Sequence, residues 1–144
     1  MNSVALARDY LRKVRARRRA LQLLYEDGSY DDVVREAQEI VELALKGALR
    51  FIGVDPPKRH DVGRALREFA GRLPERWRAR LEEIEAISKA LAEEKGHAFY
   101  GDDTSLIPAS ALFGEEDARR AMAWAGELAG LFEELLGGAS ESRA

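Results

Sequence analysis

The run EKGHAFYGDD, Glu94 to Asp103, gathers a lysine, a histidine, two aromatic rings, two glycines and two adjacent carboxylates. An imidazole can accept a proton near neutral pH. A tyrosine can stack on a base or bond a phosphate, and carboxylates can hold ribose hydroxyls or a partner's cation. Lys95, His97, Tyr100, Asp102 and Asp103 are therefore the candidates for a nucleotide or partner groove, with His97 as the candidate catalytic base. The plainer alternative is fastening: Lys95 and His97 complement the negative end of a helix, and Gly96 and Gly101 let the chain leave it. On that alternative Phe99 and Tyr100 plug the interior of a helical bundle.

A second group is Lys58, Arg59 and His60, directly after two prolines, where two cations and free backbone amides could hold an anion. Its alternative is a histidine that bonds a neighbouring helix and orders the turn. His60-Asp61 is also the pair found in metal-dependent phosphohydrolases, but those need upstream histidines, and the only other histidine, His97, lies downstream. A structural zinc lacks its four ligands. Adjacent carboxylates diverge, so Asp102-Asp103 reads as turn chemistry rather than as a metal site. No glycine-rich phosphate loop follows a strand and no serine sits in a nucleophile elbow. No cofactor and no metal are expected.

The chain has 144 residues, no cysteine, 46% hydrophobic and 34% charged residues and a net charge of −3. That length and composition fit one soluble globular domain. Without cysteine there are no disulfides, thiolate nucleophiles or thiolate metal sites. The start MNSVALARDYLRK has charges where a signal peptide needs its apolar centre, and no run is apolar enough to span a membrane. A cytoplasmic protein is expected. Scarce Asn, Gln and Met beside dense Arg and Glu lean toward a thermophile, although a GC-rich genome gives the same excess of Arg over Lys. Arg8, Arg12, Lys13, Arg15, Arg17, Arg18 and Arg19 make the first helix basic. Such a face can attract RNA, or it can be solvated, or it can complement acidic helices.

The elements that must position these groups are helices, because spacing of three and four dominates and strand alternation is nearly absent. The first runs from about Ser3 to Asp27 and ends at Gly28. The second runs from Ser29, whose hydroxyl can cap it with Asp32 in a capping box, to about Ile52. Its apolar residues Val34, Ala37, Val41, Ala44, Ala48 and Phe51 make it the central helix. Arg35/Glu39 and Glu42/Lys46 are four-apart pairs on its narrow wet face. Gly53 and DPPKR stop it. A short third helix covers about Asp61 to Arg72, a fourth runs from Pro74 to about Gly96, and a fifth from about Glu115 to Leu136. Residues 137–144 have no periodicity and read as a flexible tail. The expected fold is all-α: an up-and-down four-helix bundle with an additional short helix, over residues 1–136.

The stretch AQEIVELALKGALRFIGVDPPKRHDVGRAL, Ala37 to Leu66, with AFYGDD and IPASALFGEEDARRAM further on, resembles the HEPN domain, a nucleotide-binding helical domain family. The likeness is to its small archaeal and bacterial members and covers residues 5 to 136. It implies a homodimer, and a place beside a nucleotidyltransferase, as its partner or within a toxin-antitoxin pair. Some members cleave RNA without metal, using an Arg followed after four to six residues by a His. His97 matches that histidine, but Ala90 to Ala92 stand where the arginine belongs. Half of the pair that would take a proton and stabilise phosphate charge is missing. The expectation is therefore a binding module, partner of a nucleotidyltransferase or binder of nucleotide. The alternatives are a metal-independent ribonuclease using His97 with Lys95 or Lys89, and an RNA-binding protein using its first helix.

Overall fold

The computed structural model describes the backbone of residues 3–143 and the side chains of residues 3–137. The described residues form seven α-helices and a 3-10 turn, without a strand: α1 (Ser3–Glu26), α2 (Tyr30–Phe51), α3 (Gly63–Glu68), the 3-10 turn Ala70–Arg72, α4 (Glu75–Arg78), α5 (Leu81–Tyr100), α6 (Ala109–Leu112) and α7 (Glu115–Arg143). The four long helices α1, α2, α5 and α7 form an up-and-down bundle. None of the described helices is long and apolar enough to cross a membrane.

The apolar stripe of α2 makes it the central element. Val33, Val34, Ala37, Ile40, Val41, Ala44, Leu45, Ala48 and Leu49 are all buried, and α1, α5 and α7 pack against it. Each buried Leu or Ile contributes about 1.5–3 kcal/mol relative to exposure, so this helix anchors the fold. Small residues set how closely its neighbours approach. At Gly47 the ring of Phe132 on α7 lies where a β-carbon would stand. Trp77 on the short α4 and Leu66 on α3 close the core from the side.

α1 ends at Gly28 (φ 73°) in a Schellman motif. The Ser29 amide donates to the Leu24 carbonyl and the Gly28 amide to that of Tyr25, both at 3.0 Å. The capping box expected at Ser29 takes another form: its hydroxyl donates to the Asp32 carboxylate at 2.6 Å and caps no amide. The third helix is shorter than its spacing predicts. Phe69 leaves the helical region (φ −106°, ψ 22°) and the chain continues as the 3-10 turn. The fourth is divided at Arg80 (φ −115°, ψ 11°), whose side chain reaches Glu83 and, on α7, Glu127, both at 3.0 Å.

Two helix ends lie further on than the glycines suggest. α5 passes through Gly96 and stops at Tyr100. A mid-helix glycine costs only about 1 kcal/mol relative to alanine, and the burial of Ala98 beyond it holds the last turn in place. α7 continues to Arg143, past the end expected at Leu136. The side chains of residues 138–144, most of the expected tail, lie outside those described.

Candidate functional site

Residues 35, 39, 42 and 46 are four, three and four apart, so α2 presents Arg35, Glu39, Glu42 and Lys46 on one face. That face is covered by α5 and by the segment before α3. Glu39, Glu42 and Lys46 keep only 24%, 16% and 14% of their side-chain exposure. The Glu42–Lys46 pair expected from the spacing forms at 2.9 Å. Arg35 and Glu39 do not pair. Glu39 is held instead by Lys95 of α5 at 2.8 Å, and the Arg35 guanidinium lies 4.3 Å from the centre of the Phe99 ring. Partners on other helices outcompete the local one because they come with burial.

Glu42 is the hub. It accepts from Gln38 and Lys46 at 2.9 Å and from His60 Nδ1 at 2.8 Å, and Lys95 Nζ stands 3.8 Å away. Burial works to raise its pKa, but the hydrogen bonds from Gln38, Lys46 and His60 and the Lys46 charge outweigh it. The carboxyl is therefore held below the usual range. His60 Nδ1 also lies 3.4 Å from Lys95 Nζ. One ring nitrogen cannot donate to Glu42 and accept from Lys95 at once, so the shorter contact is the hydrogen bond. Nδ1 then carries a proton, and in the neutral ring Nε2 is the acceptor. Gln38, 2% exposed, donates one amide hydrogen to Glu42, while its carbonyl oxygen has no partner among the described residues.

Above this network opens a recess of about 390 Å³, lined by Arg35, His60, Ala92, Lys95, Gly96, Phe99 and Tyr100. Phe99 and Tyr100 pack edge to face with centroids 4.5 Å apart and are 50% and 73% exposed. They do not plug the bundle; Ala98, immediately before them, is the residue buried there. Lys46 and Lys95 are offset by Glu39 and Glu42. Among the described residues Arg35 has no carboxylate partner, which leaves one cation in surplus beside two open rings.

Of the residues singled out in the sequence, His60, Lys95 and Tyr100 line this recess. His97 does not: it is exposed on the last turn of α5, and its carbonyl accepts the Gly101 amide at 2.9 Å. Asp102 is used locally. Its Oδ1 accepts the amides of Thr104 and Ser105 at 3.1 and 3.2 Å, and its backbone bridges to Ile107. Asp103 is exposed in that turn. Lys58, Arg59 and His60 do not converge: Lys58 is exposed, His60 turns to α2, and Arg59 faces a different recess between α3 and α5. Arg35, Glu39, Glu42 and Gln38 were missed as site residues. The signal was present in polar positions 35, 38, 39 and 42, which recur at helical spacing on one side of an amphipathic helix. Among the described residues no group of three or more His, Asp or Glu is placed to hold a metal ion.

No curated protein and no solved structure matches the chain significantly. One family model does, that of the HEPN domain, over residues 7–135. The match spans nearly the whole helical bundle, and the chain belongs to the HEPN domain family.

Proposed function

We propose that this HEPN module binds a nucleotide, free or presented by a nucleotidyltransferase partner, in the recess between α2 and α5. The family match supports a role connected with nucleotides or RNA. The observation that carries the finer reading is Arg35, a guanidinium without a carboxylate partner among the described residues, at a recess whose rim includes the exposed ring of Tyr100. A base stacked on such a ring gains about 1–3 kcal/mol, and the guanidinium suits phosphate. Calorimetry with ADP tests it: saturable binding is expected, weakened several-fold in Arg35→Ala and in Tyr100→Ala. Light scattering tests for a homodimer and for a complex with a nucleotidyltransferase. Absence of both ADP binding and a complex would remove the proposal.

One observation favours a second reading, metal-independent RNA cleavage. His60 is oriented by Glu42 and has Nε2 as acceptor, and two cations, Arg35 and Lys95, line the same recess. This assigns the proton acceptor to His60 rather than to His97. Cleavage lost in His60→Ala and kept in His97→Ala would carry it. Purified protein without cleavage would leave the binding module alone.

A further inference from the structure

A second recess lies on the other side of the segment that carries His60. Its volume is about 610 Å³, within the range of small-molecule sites. Arg59, Arg64 and Lys89 line it together with the carboxylates of Asp61, Glu82 and Glu85. Two of these carboxylates are already engaged: Asp61 accepts the Ser88 hydroxyl at 2.9 Å and the Gly63 amide at 3.2 Å, and Glu85 is paired with Arg67. The three cations have neither an ion pair nor a side-chain hydrogen bond among the described residues, in a chain where most arginines are held by a carboxylate.

The recess is built by close packing. A β-carbon on Gly63 would stand 2.9 Å from the Glu85 backbone, so α3 lies directly against α5. That approach brings Arg64, next to Gly63, and Lys89, one turn beyond Glu85, to one opening. The Val62 amide donates to Ser88 Oγ at 3.1 Å and fixes the same junction. A smaller recess of about 200 Å³ shares Arg59, Asp61 and Arg64, is walled by Val54, Pro57, Ala65 and Phe69, and has Asp55 and Glu68 at its edge. An opening that holds three cations without an ion pair among the described residues thus continues into a slot with an apolar wall.

We propose that this second recess binds a small phosphomonoester with a flat apolar body. Arg59, Arg64 and Lys89 take the phosphate, and the slot at Phe69 takes the body. The ligand is recognised independently of the nucleotide recess, because the lining residues of the two do not overlap.

The test is calorimetry on the full chain at low salt, with phenyl phosphate and inorganic phosphate as probes. Phenyl phosphate should bind saturably and about tenfold tighter than inorganic phosphate, a difference of about 1.4 kcal/mol. Arg64→Ala combined with Lys89→Ala should weaken it by at least that factor. Arg64→Lys with Lys89→Arg should retain most of it, and circular dichroism checks that each variant folds. Glu82→Gln, which removes an unengaged carboxylate from the rim, should tighten binding. Arg35→Ala should leave it unchanged, so failure of this site and failure of the nucleotide recess are read from different variants. The proposal is overturned by absence of phenyl phosphate binding, by equal affinity for inorganic phosphate, or by binding indifferent to Arg64 and Lys89.

Discussion

His60 Nδ1 stands 2.8 Å from Glu42 Oε1, and this contact ties the segment after the Pro56-Pro57 turn to the middle of the central helix. Glu42 collects hydrogen bonds from three side chains and is held below the usual carboxylate range, despite burial that acts in the opposite direction. The sign of the linkage follows. A carboxyl whose folded pKa is depressed contributes stability that is present above its unfolded value, 4.5, and is lost as pH falls through the folded one. Melting temperature should therefore drop on acidification below that value, and the drop should be shallower in Glu42→Gln. At neutral pH the same variant should lose about 1–3 kcal/mol, because Lys46 and His60 lose a charged acceptor. Thermal melts of both proteins from neutral to acid pH check this.

Lys95 and Glu39 join α5 to α2 at 2.8 Å with both side chains three-quarters covered. A pair so placed is coupled, because removing one member leaves the other's charge under-compensated in a poorly solvated place. Lys95→Ala and Glu39→Gln should each destabilise. The double variant should cost less than their sum, with a coupling of about 0.5–3 kcal/mol in a double-mutant cycle. Additive costs in urea unfolding would show that the contact carries no coupling.

These two contacts mark where the sequence stops being informative. The apolar repeat on α2 names the central helix by itself, since Val34, Ala37, Val41 and Ala44 can share a face in only one regular structure. The polar positions between them carry no such information. Spacing alone offers Arg35 to Glu39, yet Glu39 pairs with Lys95, fifty-six residues away, and Arg35 turns to Phe99. His97 and His60 are equally plausible from composition, and only the path of the chain after two prolines turns His60 toward Glu42. Helix ends show the same asymmetry. Gly28 and Gly53 stop their helices because both take positive φ, whereas Gly96 remains helical because Ala98 beyond it is buried.

Gly101 closes α5 at φ 78° and ψ −162°, a backbone region open essentially to glycine alone. A β-carbon there would also run into the Ile107 carbonyl, the group that accepts the Asp102 amide at 2.8 Å. Gly101→Ala should cost about 1–3 kcal/mol. It should also release the 102–107 turn, seen as faster amide exchange at Asp102 and Ile107. Unchanged protection would place the origin of the turn elsewhere.

Phe132 lies where a side chain on Gly47 would have to stand. Both residues are buried at the α2–α7 contact, so overpacking there cannot be relieved by moving into solvent. Gly47→Ala should destabilise by about 1–3 kcal/mol, even though alanine is the better helix former. Phe132→Leu alone leaves a void. Combined with Gly47→Ala it should recover part of the loss, because each substitution corrects the other's volume. Additive costs in the double variant would mean that the two helices separate rather than repack.

The basic stretch of α1 is divided by its partners. Arg17 reaches Glu36 on α2 at 2.9 Å, and the hydrogen bond to that carboxylate, the leading cause, raises its pKa further. Arg15 is paired with Glu133 on α7, whereas Arg18 and Arg19 have no carboxylate partner among the described residues. Arg17→Ala should therefore cost about 1 kcal/mol, while Arg18→Ala and Arg19→Ala should stay within about 0.5 kcal/mol of the parent. The same division sorts RNA binding from solvation. If α1 touches RNA phosphates, the plot of log affinity against log salt should flatten by about 0.7 for each of Arg18 and Arg19 replaced. Arg17, already neutralised by Glu36, should change that slope less than either of them. A slope indifferent to all three assigns the face to solvent and leaves nucleotide recognition to the recess that Arg35 overlooks.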